Sequence, residues 1–165
     1  MKILFYSNQP TVRLSYIIDF FGKQINAEIA VTQDIDLFKS ADAIKINYSS
    51  SPVVQQELWI QPHTLLFENN IQQQSTACFP WNQHKVFFKT AGDIPFDIFA
   101  ASFYLLTRYE EYLPHEKDMY GRYAHTNSLA FKENFLHLPL INMWIQELKK
   151  IIQQKFHSFT IHVSP

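Results

Sequence analysis

Residues 2–31, KILFYSNQPTVRLSYIIDFFGKQINAEIAV, decide the fold class of this chain. They begin with a short apolar run over residues 2–6, which predicts a buried β-strand. Residues 28–31 and 43–48 alternate apolar and polar side chains, which is the period of a strand. Between these strands, apolar residues recur at the spacing of an amphipathic helix, namely Leu14, Ile17, Ile18, Phe21 and Ile25. The opening therefore predicts an α/β fold with the order β-α-β-β.

Short apolar runs predict two more strands, over residues 64–67 and 85–88, and alternation of apolar and polar residues predicts another over residues 159–163. The chain has 165 residues, which is the size of one compact domain with one core. No internal repeat and no Gly/Ser-rich linker divides it. We therefore expect a single domain with a mixed β-sheet.

The second half of the chain is predicted to be mainly helical. Residues 96–112 are apolar on nearly every side, which is typical of a helix buried in a domain or covered by a partner. Asp93 is predicted to cap this helix, and Pro114 closes it. A longer amphipathic helix is predicted to begin at Pro139.

Composition limits the classes of function. Hydrophobic residues make up 47% of the chain and aromatic residues 16%, so it is not a disordered chain. The formal net charge is −1, which gives no electrostatic reason to expect nucleic acid or an anionic membrane as partner. No apolar stretch approaches the roughly 20 residues that a membrane span needs. The single cysteine fits a reducing compartment, so we expect a cytoplasmic location.

Common catalytic signatures are missing from the sequence. The chain has 3 glycines, and none forms a phosphate-binding loop or a serine-hydrolase elbow. Its 7 histidines include no HxxxH and no HxH pair, so we expect no metal site in this chain. Cys78 lies in an apolar setting that tends to raise a thiol pKa, which favours packing over nucleophilic chemistry.

The densest polar cluster is the segment RYEEY at the end of the buried helix. Arg108 and Glu111 lie three positions apart and are predicted to pair. One interpretation is structural, with these charges capping the helix and tying it to Arg122 or to the loop at Gly121. The other is a sugar cleft or a domain interface. The candidate residues are Arg108, Tyr109, Glu110, Glu111, Tyr112 and Arg122.

Tryptophan stacks well on sugar rings, so the three tryptophans are candidates for contact with a glycan. Trp144 falls on the apolar stripe of its helix and is predicted to pack in the core. Trp59 and Trp81 lie in loop-like segments, where the sequence allows either an exposed or a packed side chain.

Several segments resemble a known family. They are IPFDIFAASFYLLTRYEEYLP at residues 94–114, DMYGRY at 118–123 and SLAFKENFLHLPLINMW at 128–144. These segments resemble the amino-terminal region of polysaccharide-deacetylase-like proteins common in Bacteroidetes. Residues 45–52 and 63–68 are similar as well, so the resemblance spans most of the chain.

That resemblance implies an accessory domain, over residues 1–165, followed by a NodB-type deacetylase barrel. It also implies that a divalent metal is bound in the barrel, and not in this chain, where it takes part in the hydrolysis of an acetyl group. This chain has no Asp-Asp pair and no HxxxH motif, so no catalytic residue is carried over to it. The partners implied are the protein's own C-terminal catalytic domain and a glycan.

Three functions are therefore open. The first is a non-catalytic domain that positions the catalytic barrel or helps to recognise the glycan. The second is a free-standing hydrolase with a scattered site around Arg108, Glu110, Glu111 and Arg122, which requires a concave pocket there. The third is a protein-interaction module that uses the aromatic residues.

Overall fold

The computed structural model of the chain describes residues 1–157, and it confirms the prediction of a single α/β domain. The strand predicted over residues 159–163 lies outside the described part. Among residues 1–157, no helix has the length and apolar character needed to cross a bilayer. The first half contains β1 (Lys2–Tyr6), α1 (Val12–Ile25), β2 (Glu28–Thr32), α2 (Ile35–Ser40), β3 (Ile44–Asn47) and β4 (Leu58–Trp59).

A four-stranded parallel sheet in the order β2-β1-β3-β4 organises this half. Side chains of β1 alternate between its two faces. Phe5 meets the ring of Phe99 at 5.5 Å between centroids, on the face that α1 covers. Tyr6 meets Phe38 of α2 at 5.4 Å on the opposite face. The predicted β-α-β-β order lacks α2, the six-residue helix that crosses from β2 to β3.

The outer edge of β4 is covered by residues 91–93. The N–H of Asp93 donates to the carbonyl of Trp59 over 2.8 Å, and that of Gln61 donates to Ala91 over 3.3 Å. This contact is a single antiparallel bridge, whereas all four strands of the sheet run parallel, so the predicted mixed sheet is wrong for the main sheet. Gly92 lies between the two bonds with φ of 125°, and a Cβ there would stand 2.7 Å from the Trp59 carbonyl oxygen. Only glycine fits such a close approach.

The second half is built around helices, as predicted, with one small antiparallel hairpin. The predicted strand over residues 85–88 corresponds to the second strand of this hairpin. The elements are β5 (Phe79–Trp81), β6 (His84–Val86), α3 (Ile98–Leu106), α4 (Leu129–Lys132) and α5 (Leu140–Lys155).

The segment at residues 64–67 was predicted as a strand, and this is wrong. Thr64–Phe67 is a 3-10 helix whose first turn is capped by His63. The ring nitrogen Nδ1 of His63 accepts the N–H of Leu65 over 3.1 Å. Leu65 and Leu66 of this turn are both buried.

Helix α3 is capped by Asp97, whereas the sequence predicted Asp93. One carboxylate oxygen of Asp97 accepts the N–H groups of Phe99 and Ala100 at 3.1 and 3.0 Å. The predicted helix over residues 96–112 ends early, at Leu106, and Arg108 then adopts the left-handed conformation with φ of 55°. A separate 3-10 helix, Tyr109–Tyr112, follows.

The two long amphipathic helices agree with their predicted faces. All five predicted core residues of α1 are buried. In α5 the buried residues are Leu140, Trp144, Ile145, Leu148 and Ile152.

Candidate functional site

A cavity of about 280 Å³ lies beside Glu110 and contains half of the predicted site residues. It is formed where the end of α3 and the 3-10 helix that follows meet the loop before α4. We call it the Glu110 cleft and define it by the side chains of Tyr104, Arg108, Glu110, Glu111, Tyr123, His125 and Ser128, with Leu105, Ala130 and Leu136 as its apolar wall.

The carboxylate of Glu110 joins the separate segments of the cleft. Its oxygen atom Oε2 accepts the hydroxyl of Tyr123 over 3.0 Å. Both carboxylate oxygens accept the N–H of Leu129, at 3.0 and 3.1 Å. Leu129 is the first residue of α4, so Glu110 adds a negative charge at the start of that helix. The side chain therefore has a structural task, although it also lines the cavity.

Two tyrosine hydroxyls share the surroundings of this carboxylate. Burial raises the pKa of Tyr104, and the negative charge of Glu110 raises it further. Burial and the same carboxylate raise the pKa of Tyr123. Both phenols therefore stay protonated near neutral pH and can donate or accept hydrogen bonds.

A salt bridge between Arg108 and Glu111 forms part of the cleft wall, as the three-residue spacing predicted. The Arg108 side chain is 73% exposed and that of Glu111 is 29% exposed. Because the guanidinium is so exposed, its donors remain available to a ligand that enters the cleft.

Three of the predicted residues do not line the Glu110 cleft. Tyr109 is buried, and its hydroxyl is bonded to the backbone of Gln72 at 2.9 and 3.1 Å. Tyr112 is exposed and belongs to neither wall. Arg122 lies over the ring of Tyr120 at 5.0 Å. Of the two predicted ties, the one to the Gly121 loop is present, because Glu110 accepts the hydroxyl of Tyr123 in that loop, whereas Arg122 contacts Tyr120.

Sequence reasoning missed four polar residues of the cleft: Tyr104, Tyr123, His125 and Ser128. Tyr104 belongs to a helix that is apolar on almost every side, so it looks like packing. Ser128 carries a recognisable signal, because serine is a preferred helix cap and its hydroxyl accepts the N–H of Phe131 over 3.1 Å. No local pattern brings Tyr123 to Glu110.

Comparison with protein families identifies the chain at the level of the family. Residues 3–157 match a family described as "Family of unknown function (DUF7033)". The chain belongs to the DUF7033 family. No curated protein and no solved structure matches it. The family description states no activity, so the resemblance to polysaccharide-deacetylase-like proteins stays a prediction.

An apolar groove of about 360 Å³ adjoins the Glu110 cleft in this DUF7033 domain. The two cavities share Leu105, Ala130 and Leu136. Leu136 and Leu138 are 54% and 41% exposed, so apolar surface lies open to solvent here. Exposed apolar side chains in a groove are typical of a surface that contacts a partner.

The histidines and the cysteine were considered in the sequence as metal ligands and as a nucleophile. In residues 1–157, no group of three or more His, Cys, Asp and Glu side chains could hold a metal ion. Burial, with a smaller effect of Glu133, raises the pKa of the Cys78 thiol to about 11. At neutral pH the thiol is therefore protonated and a poor nucleophile.

The tryptophans are packed side chains. Trp144 is buried in the core, as predicted. The indole N–H of Trp59 donates to the carbonyl of Ser49 over 2.8 Å. Trp81 lies against Phe96 with 5.2 Å between the ring centroids. Trp59 and Trp81 are both half-buried.

Proposed function

We propose that this DUF7033 domain is a non-catalytic accessory domain that binds a glycan in the Glu110 cleft and docks against a polysaccharide deacetylase domain of the same protein. The observation that supports glycan binding is the convergence of polar groups on one small cavity. Glu110 accepts hydrogen bonds, Arg108 donates them, and the tyrosine hydroxyls do both. Sugars carry hydroxyl groups that can match each of these.

The size of the Glu110 cleft limits what it can hold. Its volume of about 280 Å³ is near the lower end of the range for small-molecule sites, which begins at about 300 Å³. One sugar unit of a longer chain suits a cavity of that size. The Leu105, Ala130 and Leu136 wall would contact the apolar face of the ring, while the polar groups would contact its hydroxyls.

The bonding of the two glutamates favours binding over catalysis. Glu110 is engaged by Tyr123 and by the backbone of Leu129. Glu111 pairs with Arg108. The scattered hydrolase site would also need Arg122, which does not line the cavity. A deacetylase of the implied kind uses a divalent metal, and the residues of this chain that the structure describes do not suit one.

Protein-observed NMR titration with acetylated oligosaccharides tests glycan binding. We expect shifts in the amide signals of residues 123–129, which border the cleft. Arg108→Ala should weaken binding by about tenfold, because it removes a charged donor. Arg122→Ala is the matched control from the same segment and should bind normally. Equal weakening by both variants, or no shift with any acetylated oligosaccharide, would show that the cleft is not a glycan site.

Docking to a catalytic domain is supported by the apolar groove beside the cleft. Hydrogen–deuterium exchange of residues 135–141, compared between this chain and a longer protein that includes the downstream sequence, tests this part. We expect slower exchange in the longer protein, since Leu136 and Leu138 would be covered. Unchanged exchange at these residues would exclude the groove as the docking surface.

A further inference from the structure

In the part of the chain that the structure describes, the outer edge of β2 has no neighbouring strand, in contrast to the covered edge of β4. Strand β2 pairs with β1 on one side, and the described residues 1–157 include no partner on the other. None of its five residues is buried. Parallel sheets are normally covered on both faces, so an unburied strand at their edge is unusual.

The direction of each backbone group in β2 follows from its bonds to β1. The N–H of Glu28 donates to Met1, and the carbonyl of Thr32 accepts from Ser7, at 2.9 and 3.1 Å. Residues 28, 30 and 32 therefore face β1, and the backbone groups of Ile29 and Val31 point outward. The strand has no proline, no lysine and no bulge, which are the usual protections of a free edge.

We infer that β2 pairs with β2 of a second copy of this chain, antiparallel and centred on Ala30, to form a two-fold symmetric dimer with a continuous sheet. In this register Ile29 lies opposite Val31 of the second copy, and the reverse pair is identical by symmetry. These are the outward residues, so each pair exchanges two backbone hydrogen bonds. Glu28 lies opposite Thr32, so the carboxylates do not face each other.

Helix α1 fits the same symmetry. It connects β1 with β2, and Gly22 brings the helix close to the Ile29 side chain. Strands are about 4.8 Å apart, so the two α1 helices, each over its own β1–β2 pair, would be about 10 Å apart. That is the normal packing distance of two helices. A groove of about 800 Å³ between α1 and β2 is open for the second copy.

Charges on α1 are complementary across the proposed axis. Asp19 and Lys23 form an exposed ion pair over 3.1 Å within one helix, and both line the groove. The two helices would run antiparallel, so Asp19 of one copy would approach Lys23 of the other, and the reverse. Two cross-copy ion pairs result without any like charges in contact.

The described part of the chain ends near the opposite edge of the sheet. The carbonyl of Lys155, at the end of α5, accepts the side-chain amide of Gln56, just before β4. Strands β4 and β2 are separated by three strand spacings. This position favours a second copy over the residues after α5 as the partner of β2.

Sedimentation equilibrium of the full 165-residue chain tests the inference. We expect a dimer at about 100 µM, a concentration that saturates an interface of ordinary size. Val31→Lys should give a monomer, because it places a lysine at the centre of the interface on a side chain that is already exposed. Val12→Lys makes the same change at a valine that is 87% exposed and outside the groove, and it should remain dimeric.

A charge exchange tests the geometry of the axis. Lys23→Glu should weaken the dimer by about tenfold, because it places a glutamate near Asp19 of the second copy. Adding Asp19→Lys to Lys23→Glu should restore it. A monomeric wild-type chain would overturn the inference, and so would a dimer that Val31→Lys leaves intact. Slow exchange of the Ile29 and Val31 amides in a monomer would also overturn it, by showing that another part of the same chain covers the edge.

Discussion

Two carboxylates of this domain make similar bonds in different surroundings. Asp97 and Glu110 each accept a tyrosine hydroxyl and a backbone N–H at the start of a helix. Asp97 is completely buried and accepts four bonds in all, from Tyr48 at 2.5 Å, His63 at 2.8 Å and two amides of α3. Glu110 is half-buried and lines a cavity.

The difference in exposure separates a carboxylate that only stabilises the fold, Asp97, from one that can also contact a ligand, Glu110. Every bonding position of Asp97 is used by the fold, and the residue lines none of the larger cavities described above. Its bonds connect the end of β3, the His63 segment and α3. Glu110 also holds two segments together, yet a ligand can reach it from the cleft. Bond count and access, rather than residue type, distinguish the two roles.

The largest expected effect is the loss of the buried carboxylate. Asp97→Ala leaves the Tyr48 hydroxyl and three backbone N–H groups without their acceptor, so we expect a loss of about 4 kcal/mol in the free energy of unfolding. Asp34→Ala is the matched control, because Asp34 caps α2 at the surface. It should cost about 1 kcal/mol. Urea unfolding followed by circular dichroism measures the free energy of unfolding of both variants. Equal losses would show that the buried cap Asp97 stabilises the fold no more than the surface cap Asp34.

The next effect is a dependence of stability on pH. Burial raises the pKa of Asp97 to about 6, although its hydrogen bonds oppose this rise. In an unfolded chain the pKa is about 3.9. Between these values the folded state holds a proton that the unfolded state releases. The contribution of Asp97 to stability is therefore full below about pH 4 and is lost as the pH rises through about 6.

Comparison with Asp97→Asn isolates this contribution, because asparagine does not titrate. A shift of about two pKa units corresponds to about 3 kcal/mol, so the variant should cost more at about pH 4 than at about pH 7 by that amount. The same unfolding experiment at both pH values measures it. A cost that is constant with pH would show that folding leaves the pKa of Asp97 unshifted.

A smaller loss is expected at the cleft. Glu110→Ala removes the acceptor of the Leu129 N–H, while the Tyr123 hydroxyl can bond to water in the cavity. We expect a loss of about 1–2 kcal/mol. Amide exchange measured by NMR should also show faster exchange at Leu129. Glu111→Ala should leave that amide unchanged, and if it does not, Glu110 is not the specific cap of α4.

The smallest effect is expected at Arg108. Its ion pair is largely exposed, so Arg108→Ala should change stability by less than about 0.5 kcal/mol. The left-handed backbone there costs a non-glycine residue about 1 kcal/mol. Arg108→Gly should therefore be more stable than Arg108→Ala by about that amount, measured by thermal unfolding. Equal stability would mean that the backbone at this position carries no strain.

Helices that bury one side were predictable from the sequence. In α1 and α5 a single apolar stripe repeats over several turns, and those positions are the buried ones. Residues 64–67 were too short for a period to be recognised. The alternation over residues 43–48 correctly predicted a strand, but it did not show that β3 is buried on both faces. The ammonium of Lys45 donates to the carbonyl of Lys39 over 3.0 Å, and the residue is 9% exposed.

The Glu110 cleft was predictable only in part. Arg108, Glu110 and Glu111 stand out as a run of charges after an apolar helix, and all three line the cavity. Their partners Tyr104 and Tyr123 come from other segments, and only tertiary folding brings them together. The cap of α3 was misplaced for a related reason. Asp93 and Asp97 are both suitable cap residues, and the choice depends on the long-range bond from Tyr48.

Gly92 limits the number of molecules that can join through the edges of their sheets. A side chain at this position would collide with the Trp59 carbonyl and force residues 91–93 away from β4. The sheet would then have a bare strand on each side, and each added molecule would offer a new place for the next. Because residues 91–93 cover the edge at β4, association through β2 ends with a dimer. The absence of a side chain at Gly92 therefore prevents further association into a fibre.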